Sequence, residues 1–137
     1  MTTESTNKDI VYQGNSIISI ESLPDYAQPV VIKKPAKRHP YRRRLQSLEN
    51  EYRMTRALDA VEGVRKALEQ KSIQDQPALI LEYVEGETLR ETIKRKELDL
   101  RSRLEIAVEV ARILGDIHQH NEIHQDLNSR NIHIANV

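Results

Sequence analysis

The chain has 137 residues with 21 Lys plus Arg against 21 Asp plus Glu, so its formal net charge is zero. That balance excludes a globally basic nucleic-acid-binding domain, and nucleic acid is not an expected partner. With no cysteine there are no disulfides, thiolate metal sites or cysteine nucleophiles, and with no Phe or Trp one modest core must be built from Leu, Ile, Val and Tyr.

Residues 1–9 are rich in Thr, Ser, Asn and Glu, and the composition predicts a disordered tail. No apolar segment there has the length of a signal peptide, and the longest aliphatic run, 78–81, is far too short to cross a membrane. The expectation is a soluble, cytoplasmic protein without a membrane partner.

Short apolar segments at 10–13 and 17–20 flank Gly14-Asn15-Ser16, the pattern of two strands joined by a turn. Residues 23–28, with Pro24 inside and Pro29 beyond, read as a second turn. Pro29-Val30-Val31-Ile32-Lys33 then reads as a strand. Seven basic residues follow without an acid: Lys33, Lys34, Lys37, Arg38, Arg42, Arg43 and Arg44. Such a run is a solvated loop and helix start, or a patch that attracts phosphate or an acidic partner.

Helical spacing of Leu45, Leu48, Tyr52 and Leu58 predicts a helix over 42–58. Glu49 and Glu51 flank that stripe from opposite sides, so the periodicity alone does not choose between them. Gly63 marks a break. Residues 64–73 and 78–84 read as strands joined at Gln74-Asp75-Gln76-Pro77. After Leu81 the chain runs Glu82-Tyr83-Val84-Glu85-Gly86-Glu87-Thr88-Leu89, and 88–96 reads as a short helix.

Residues 101–120 carry the clearest helical pattern. Glu105, Glu109, Arg112 and Asp116 form one polar stripe, and almost everything between them is apolar. Such a surface requires neighbours on several sides. His118 and His120, two apart, face different directions and resemble no zinc motif.

The last stretch is Ile123-His124-Gln125-Asp126-Leu127-Asn128-Ser129-Arg130-Asn131-Ile132, followed by His133-Ile134. A carboxylate at one end of a tight loop can orient an attacking hydroxyl or accept its proton. An amide five residues later can hold a divalent cation against a phosphate. The string H-x-D-L-x-x-x-N resembles the catalytic loop of the protein kinase family. Three further segments occur in that family's order: the V-A-I-K-like strand ending at Lys33, a glutamate-bearing helix 18 residues on, and the E-Y-x-x-G linker. The resemblance covers 10–137, and the texture is closest to kinase domains at the amino ends of large bacterial signalling proteins.

The resemblance implies an α+β, protein-kinase-like fold. A small antiparallel amino-terminal sheet with one helix would occupy 10–84, and the first helices and catalytic loop (123–131) of an incomplete helical lobe would occupy 85–137. It implies ATP and Mg2+ as cofactors. Lys33, paired with Glu51 (the better match in context), would hold the ATP phosphates, and Gly14 would lie over them. The backbone of Glu82 and Val84 would meet the adenine edge. Asp126 would orient the acceptor hydroxyl, and Asn131 would bind the metal.

The chain departs from the family pattern in four ways. Only one glycine of G-x-G-x-x-G is present, and Gln125 replaces the usual arginine. Asn128 stands where Ser/Thr kinases carry lysine, while Arg130 resembles tyrosine kinases, so the acceptor stays open. No D-F-G segment occurs before Val137. A truncated kinase domain without activity of its own is therefore expected. Its exposed helix face would associate with the missing remainder or with itself. The alternatives are a non-catalytic pseudokinase docking module and a fragment of a small-molecule phosphotransferase like the aminoglycoside and choline kinases.

Overall fold

The computed structural model describes residues 8–13 (backbone), 16–36, 41–95, 98–120 and 131–135. They fall into two compact units, Met1–Asp59 with Arg65–Tyr83, and Ala60–Val64 with Val84–Val137.

The first unit is a five-stranded antiparallel sheet in the order β1-β2-β3-β5-β4, with one helix, α1, inserted between β3 and β4. The strands are β1 Lys8–Gln13, β2 Ser16–Glu21, β3 Val30–Pro35, β4 Ala67–Ile73 and β5 Gln76–Glu82, and α1 is Tyr41–Ala57. β1 begins inside the stretch expected to be a disordered tail, because Lys8 and Asp9 have ladder partners in Glu21 and Ile20. Alternation along each strand gives the sheet two apolar faces. Val31, Ala67, Leu79 and Leu81 bury one face with Leu48 of α1, and Ile18, Ile20 and Tyr52 pack at its margin. Val30, Ile32, Ala78 and Ile80 bury the other, joined by Leu23, Tyr26 and Ile73. A strand covered on both sides reads as a continuous apolar run, which is why Val30-Val31-Ile32 shows no alternation.

α1 starts with Arg42, Arg43 and Arg44 and no acid in its first turn, an arrangement the helix dipole opposes. Packing therefore holds it: Leu48 is 3% exposed against the sheet. Arg56, in the last turn where a cation is favoured, donates from Nη1 to the carbonyl of Ala67 in β4 at 3.4 Å.

The β4–β5 hairpin turns in two residues, Gln74 (φ 52°) and Asp75 (φ 61°), between the paired Ile73 and Gln76. Two positive φ values match the right-handed strand twist. Gln76 and Pro77, expected in the turn, instead belong to β5. The β3–β5 register ends at Leu79, so the proline sits where β5 has no β3 partner and its missing N–H costs the sheet nothing. β4 begins at Ala67 rather than at residue 64.

In the second unit, β6 (Gly86–Thr88) pairs antiparallel with β7 (His133–Ala135). α2 spans Leu89–Lys94 and α3 spans Leu100–Gln119. Thr88 caps α2 in a capping box: its hydroxyl accepts from the Glu91 N–H, and the Glu91 carboxylate accepts from the Thr88 N–H. Asp99 caps α3 by accepting from the Ser102 N–H at 2.8 Å, a bond that holds its carboxyl below the usual range. The turn before β4 contributes Gly63 (φ +95°), where a Cβ would lie 2.6 Å from Cδ1 of Ile113 in α3. The polar stripe of α3 is an ion-pair ladder, with Arg112 between Glu109 and Asp116. Among the described residues no helix is long and apolar enough to cross a membrane.

Candidate functional site

Lys33 is two residues from Val31 and so lies on the same sheet face, the one that α1 covers. Its cross-strand neighbours are Ile18 in β2 and Leu79 in β5, which makes it the polar end of an apolar row. From there its Nζ meets Glu51 Oε2 at 2.7 Å. The lysine side chain is 23% exposed and the glutamate 37%.

The helix explains which glutamate this is. Leu48 fixes the buried side of α1, and Glu51 stands three residues further on that side. Glu49, on the opposite flank, is exposed. What periodicity left undecided is decided by where β3 delivers the ammonium. A charge-assisted hydrogen bond of this length restricts a long side chain that would otherwise sample many rotamers.

A second cation belongs to the same neighbourhood. Arg65, just before β4, is partly buried; burial pushes its guanidinium below the usual value, and the carboxylates of Glu82 and Glu51 push it back up. Nothing in the sequence singles it out, since an arginine between two elements is ordinary in a chain with 31% charged residues.

Glu82 closes the open end of the β4–β5 hairpin. Its carboxylate accepts from the Lys66 N–H at 2.9 Å, and its own N–H donates to the Lys66 carbonyl at 3.0 Å. Any contact from its backbone to an adenine must therefore use the carbonyl. Two residues on, Val84 is half-buried in the second unit.

The glycine of the E-Y-x-x-G linker has a structural cause. Gly86 has φ +145°, and a Cβ there would overlap the backbone oxygen of Ile134. Only glycine lets β6 approach β7 so closely. The Leu89 N–H adds a bond to the Ile132 carbonyl at 2.8 Å. These contacts fix the backbone next to Asn131, which is exposed. Within the second unit, then, the linker and the end of the H-x-D-L-x-x-x-N segment are joined by a strand pair.

Gly14 and Asp126, with His124 and the rest of 121–130, lie outside the described residues. Among the described residues no group of three or more His, Cys, Asp or Glu could hold a metal ion.

The fold is found in solved kinases. The kinase domain of Mycobacterium tuberculosis PknI superposes with a TM-score of 0.67 at 17% identity, covering 98% of this chain and 57% of that one. A double mutant of the same domain gives 0.70 at 16% identity, covering 99% and 56%. In sequence, 54 residues are 35% identical to the KEOPS complex subunit Bud32 of Pyrococcus abyssi, covering 39% of this chain and 24% of that protein. A stretch of 64 residues is 39% identical to the calmodulin-binding receptor-like cytoplasmic kinase 2 of Arabidopsis thaliana, covering 42% and 16%. The chain thus spans a quarter or less of these curated relatives and just over half of the solved kinase domain. The family model for protein tyrosine and serine/threonine kinase matches residues 10–137, so the β-sheet, the Lys33–Glu51 pair and the linker are those of a chain that belongs to the protein tyrosine and serine/threonine kinase family.

Proposed function

We propose that this chain forms the nucleotide-holding part of a protein kinase domain that transfers phosphate from ATP to a protein hydroxyl. The Lys33–Glu51 ion pair carries the reading. An ammonium held by a carboxylate and packed at the edge of an apolar face is restrained before the ligand arrives, so binding a polyphosphate orders little more of the protein. The family generally uses ATP and Mg2+. In this reading the carbonyl of Glu82 and the backbone of Val84 meet the adenine edge, and Gly14 lies over the phosphates. Asp126 orients the acceptor hydroxyl, and Asn131 offers its amide oxygen to the metal. When bound, magnesium neutralises charge on the phosphates.

The 137 residues contain no D-F-G segment. The property this reading assigns to these residues is nucleotide binding. A cytoplasmic location, where ATP is supplied, belongs to the same reading. The test is thermal melting with ATP, with and without Mg2+. The expected result is a magnesium-dependent upward shift that is lost in Lys33→Met. No shift, or one that survives Lys33→Met, overturns the reading.

One observation favours a docking role alongside. On α3, Leu100, Leu104 and Val108 stand four apart on one face and are 73%, 58% and 70% exposed. An apolar stripe of this kind fits association with another polypeptide. Concentration-dependent sedimentation that is abolished by Leu104→Lys with Val108→Lys would support self-association.

A further inference from the structure

The connection from β2 to β3 crosses half of the sheet. Its turn closes with the Tyr26 N–H donating to the Leu23 carbonyl at 3.2 Å. From there Leu23 and the half-buried ring of Tyr26 pack on Val30, Ile32, Ala78 and Ile80, on the sheet face away from α1. The Tyr26 hydroxyl donates to Glu69 Oε2 of β4 at 2.6 Å. β4 lies two strands from β3, roughly 10 Å away at ordinary strand spacing. The tyrosine is thus a strap fastened at its far end by one proton. Around the fastening, Lys71 Nζ stands 3.8 Å from Asp25 Oδ2 and 3.7 Å from Glu69 Oε2. Two carboxylates face one ammonium.

We propose that Tyr26 is a modification site and that phosphorylation of its hydroxyl unfastens this strap, uncovering the apolar face beneath it. In the modifying step a tyrosine-directed kinase uses a nucleoside triphosphate. The Tyr26 oxygen forms a bond to the γ-phosphorus, the bond from that phosphorus to the β,γ-bridging oxygen breaks, the hydroxyl proton passes to a base of the acting enzyme, and the nucleoside diphosphate leaves.

Three observations support the switch. Ser22, Pro24, Asp25, Ala27, Gln28 and Pro29 are all exposed, so the segment can be engaged from both sides of the tyrosine. The hydroxyl serves here as a donor to a carboxylate, and a phosphate ester has no such donor to give. The site also resists negative charge, since donation to Glu69 pushes the Tyr26 hydroxyl up to about 12. A phosphate adds about −1.5 to −2 at neutral pH beside Asp25 and Glu69, with Lys71 the cation placed between those two carboxylates. Repulsion then drives the ring off the sheet, and Leu23 goes with it.

The experiment uses the full chain carrying phosphotyrosine at position 26, installed during translation. It is compared with the unmodified chain, Tyr26→Phe, and the phosphorylated chain with Glu69→Gln. Thermolysin cleavage within 22–29 and fluorescence of an apolar-surface dye report opening. The phosphorylated chain should be cut about tenfold faster, Tyr26→Phe no more than about threefold faster, and Glu69→Gln should restore at least about half of the lost protection. A second arm offers the unmodified chain to a tyrosine kinase with MgATP and maps the product by mass spectrometry. Equal protease resistance with and without the phosphate, no rescue by Glu69→Gln, or no phosphate on Tyr26 in the second arm would each overturn the proposal.

Discussion

The Lys33–Glu51 pair can be measured as a coupling rather than as two losses. The perturbation is a double-mutant cycle, Lys33→Met, Glu51→Gln and both, followed by urea unfolding. Fully exposed ion pairs couple by about 0.2–1 kcal/mol, whereas removing one partner of a buried pair costs about 3–5 kcal/mol. This pair lies between those limits, with the lysine 23% and the glutamate 37% exposed at 2.7 Å. Discounting for the glutamate's exposure leaves a coupling of about 1 kcal/mol, about fivefold in the folding equilibrium. Salt adds a second signature. The screening length at 1 M salt is about 3 Å, close to the 2.7 Å separation, so about 40% of the coupling should survive there, and more to the extent that burial shields the pair, whereas a loose pair would lose most of it. The same variants should separate two roles in MgATP binding. Lys33→Met removes the charge proposed to meet the phosphates, while Glu51→Gln leaves the charge but frees its carrier, so the first should lower affinity more. A coupling below about 0.3 kcal/mol, or Glu51→Gln weakening MgATP more than Lys33→Met, would refute the reasoning.

Leu48→Ala empties a site 3% exposed between α1 and the sheet; a loss of about 3 kcal/mol in urea unfolding is expected, with weaker MgATP binding because Glu51 rides on the same helix. Gly86→Ala places a methyl group against the Ile134 backbone oxygen at a positive φ; about 2 kcal/mol of destabilisation and faster amide exchange across β6 and β7 should follow. Asp75→Gly should stabilise by about 0.5–1 kcal/mol, because glycine adopts the observed φ of 61° without strain. Tyr26 has a folded-state pKa raised from 10.0 to about 12. Its contribution is therefore fully present below pH 10 and lost as pH rises through about 12, and Tyr26→Phe should remove that alkaline limb from a stability–pH profile.

Legibility followed how locally each feature is encoded. The α1 and α3 helices were readable from apolar spacing because a helix repeats its instruction every turn, and the structure moves their ends by a single residue. The β3 strand and its lysine were readable because a valine–isoleucine run ending in a charge is a short, self-contained signal. The partner of Lys33 was not readable from periodicity alone. Glu49 and Glu51 flank the apolar stripe from opposite sides, and the choice between them is made when β3 fixes the ammonium on the α1 side of the sheet. β6 was missed for a related reason. In Gly86-Glu87-Thr88 only the threonine favours a strand, and the segment becomes one by pairing with β7, more than forty residues later.

Arg65 and Tyr26 show the same limit more sharply. One is a cation in a connection and the other an aromatic residue in a turn, and neither belongs to a motif. Each gains meaning only from a carboxylate that the fold brings near it, Glu51 and Glu82 for the arginine and Glu69 for the tyrosine. In this chain a motif locates the residue that could meet a ligand, while the groups that hold it in place come from long-range pairing. The two classes of variant should therefore fail differently. Lys33→Met should leave the fold largely intact and remove MgATP binding, whereas Leu48→Ala should lower stability first and binding only as a consequence. If both lowered binding and stability in the same proportion, the separation between the ligand-facing side chain and its support would be wrong.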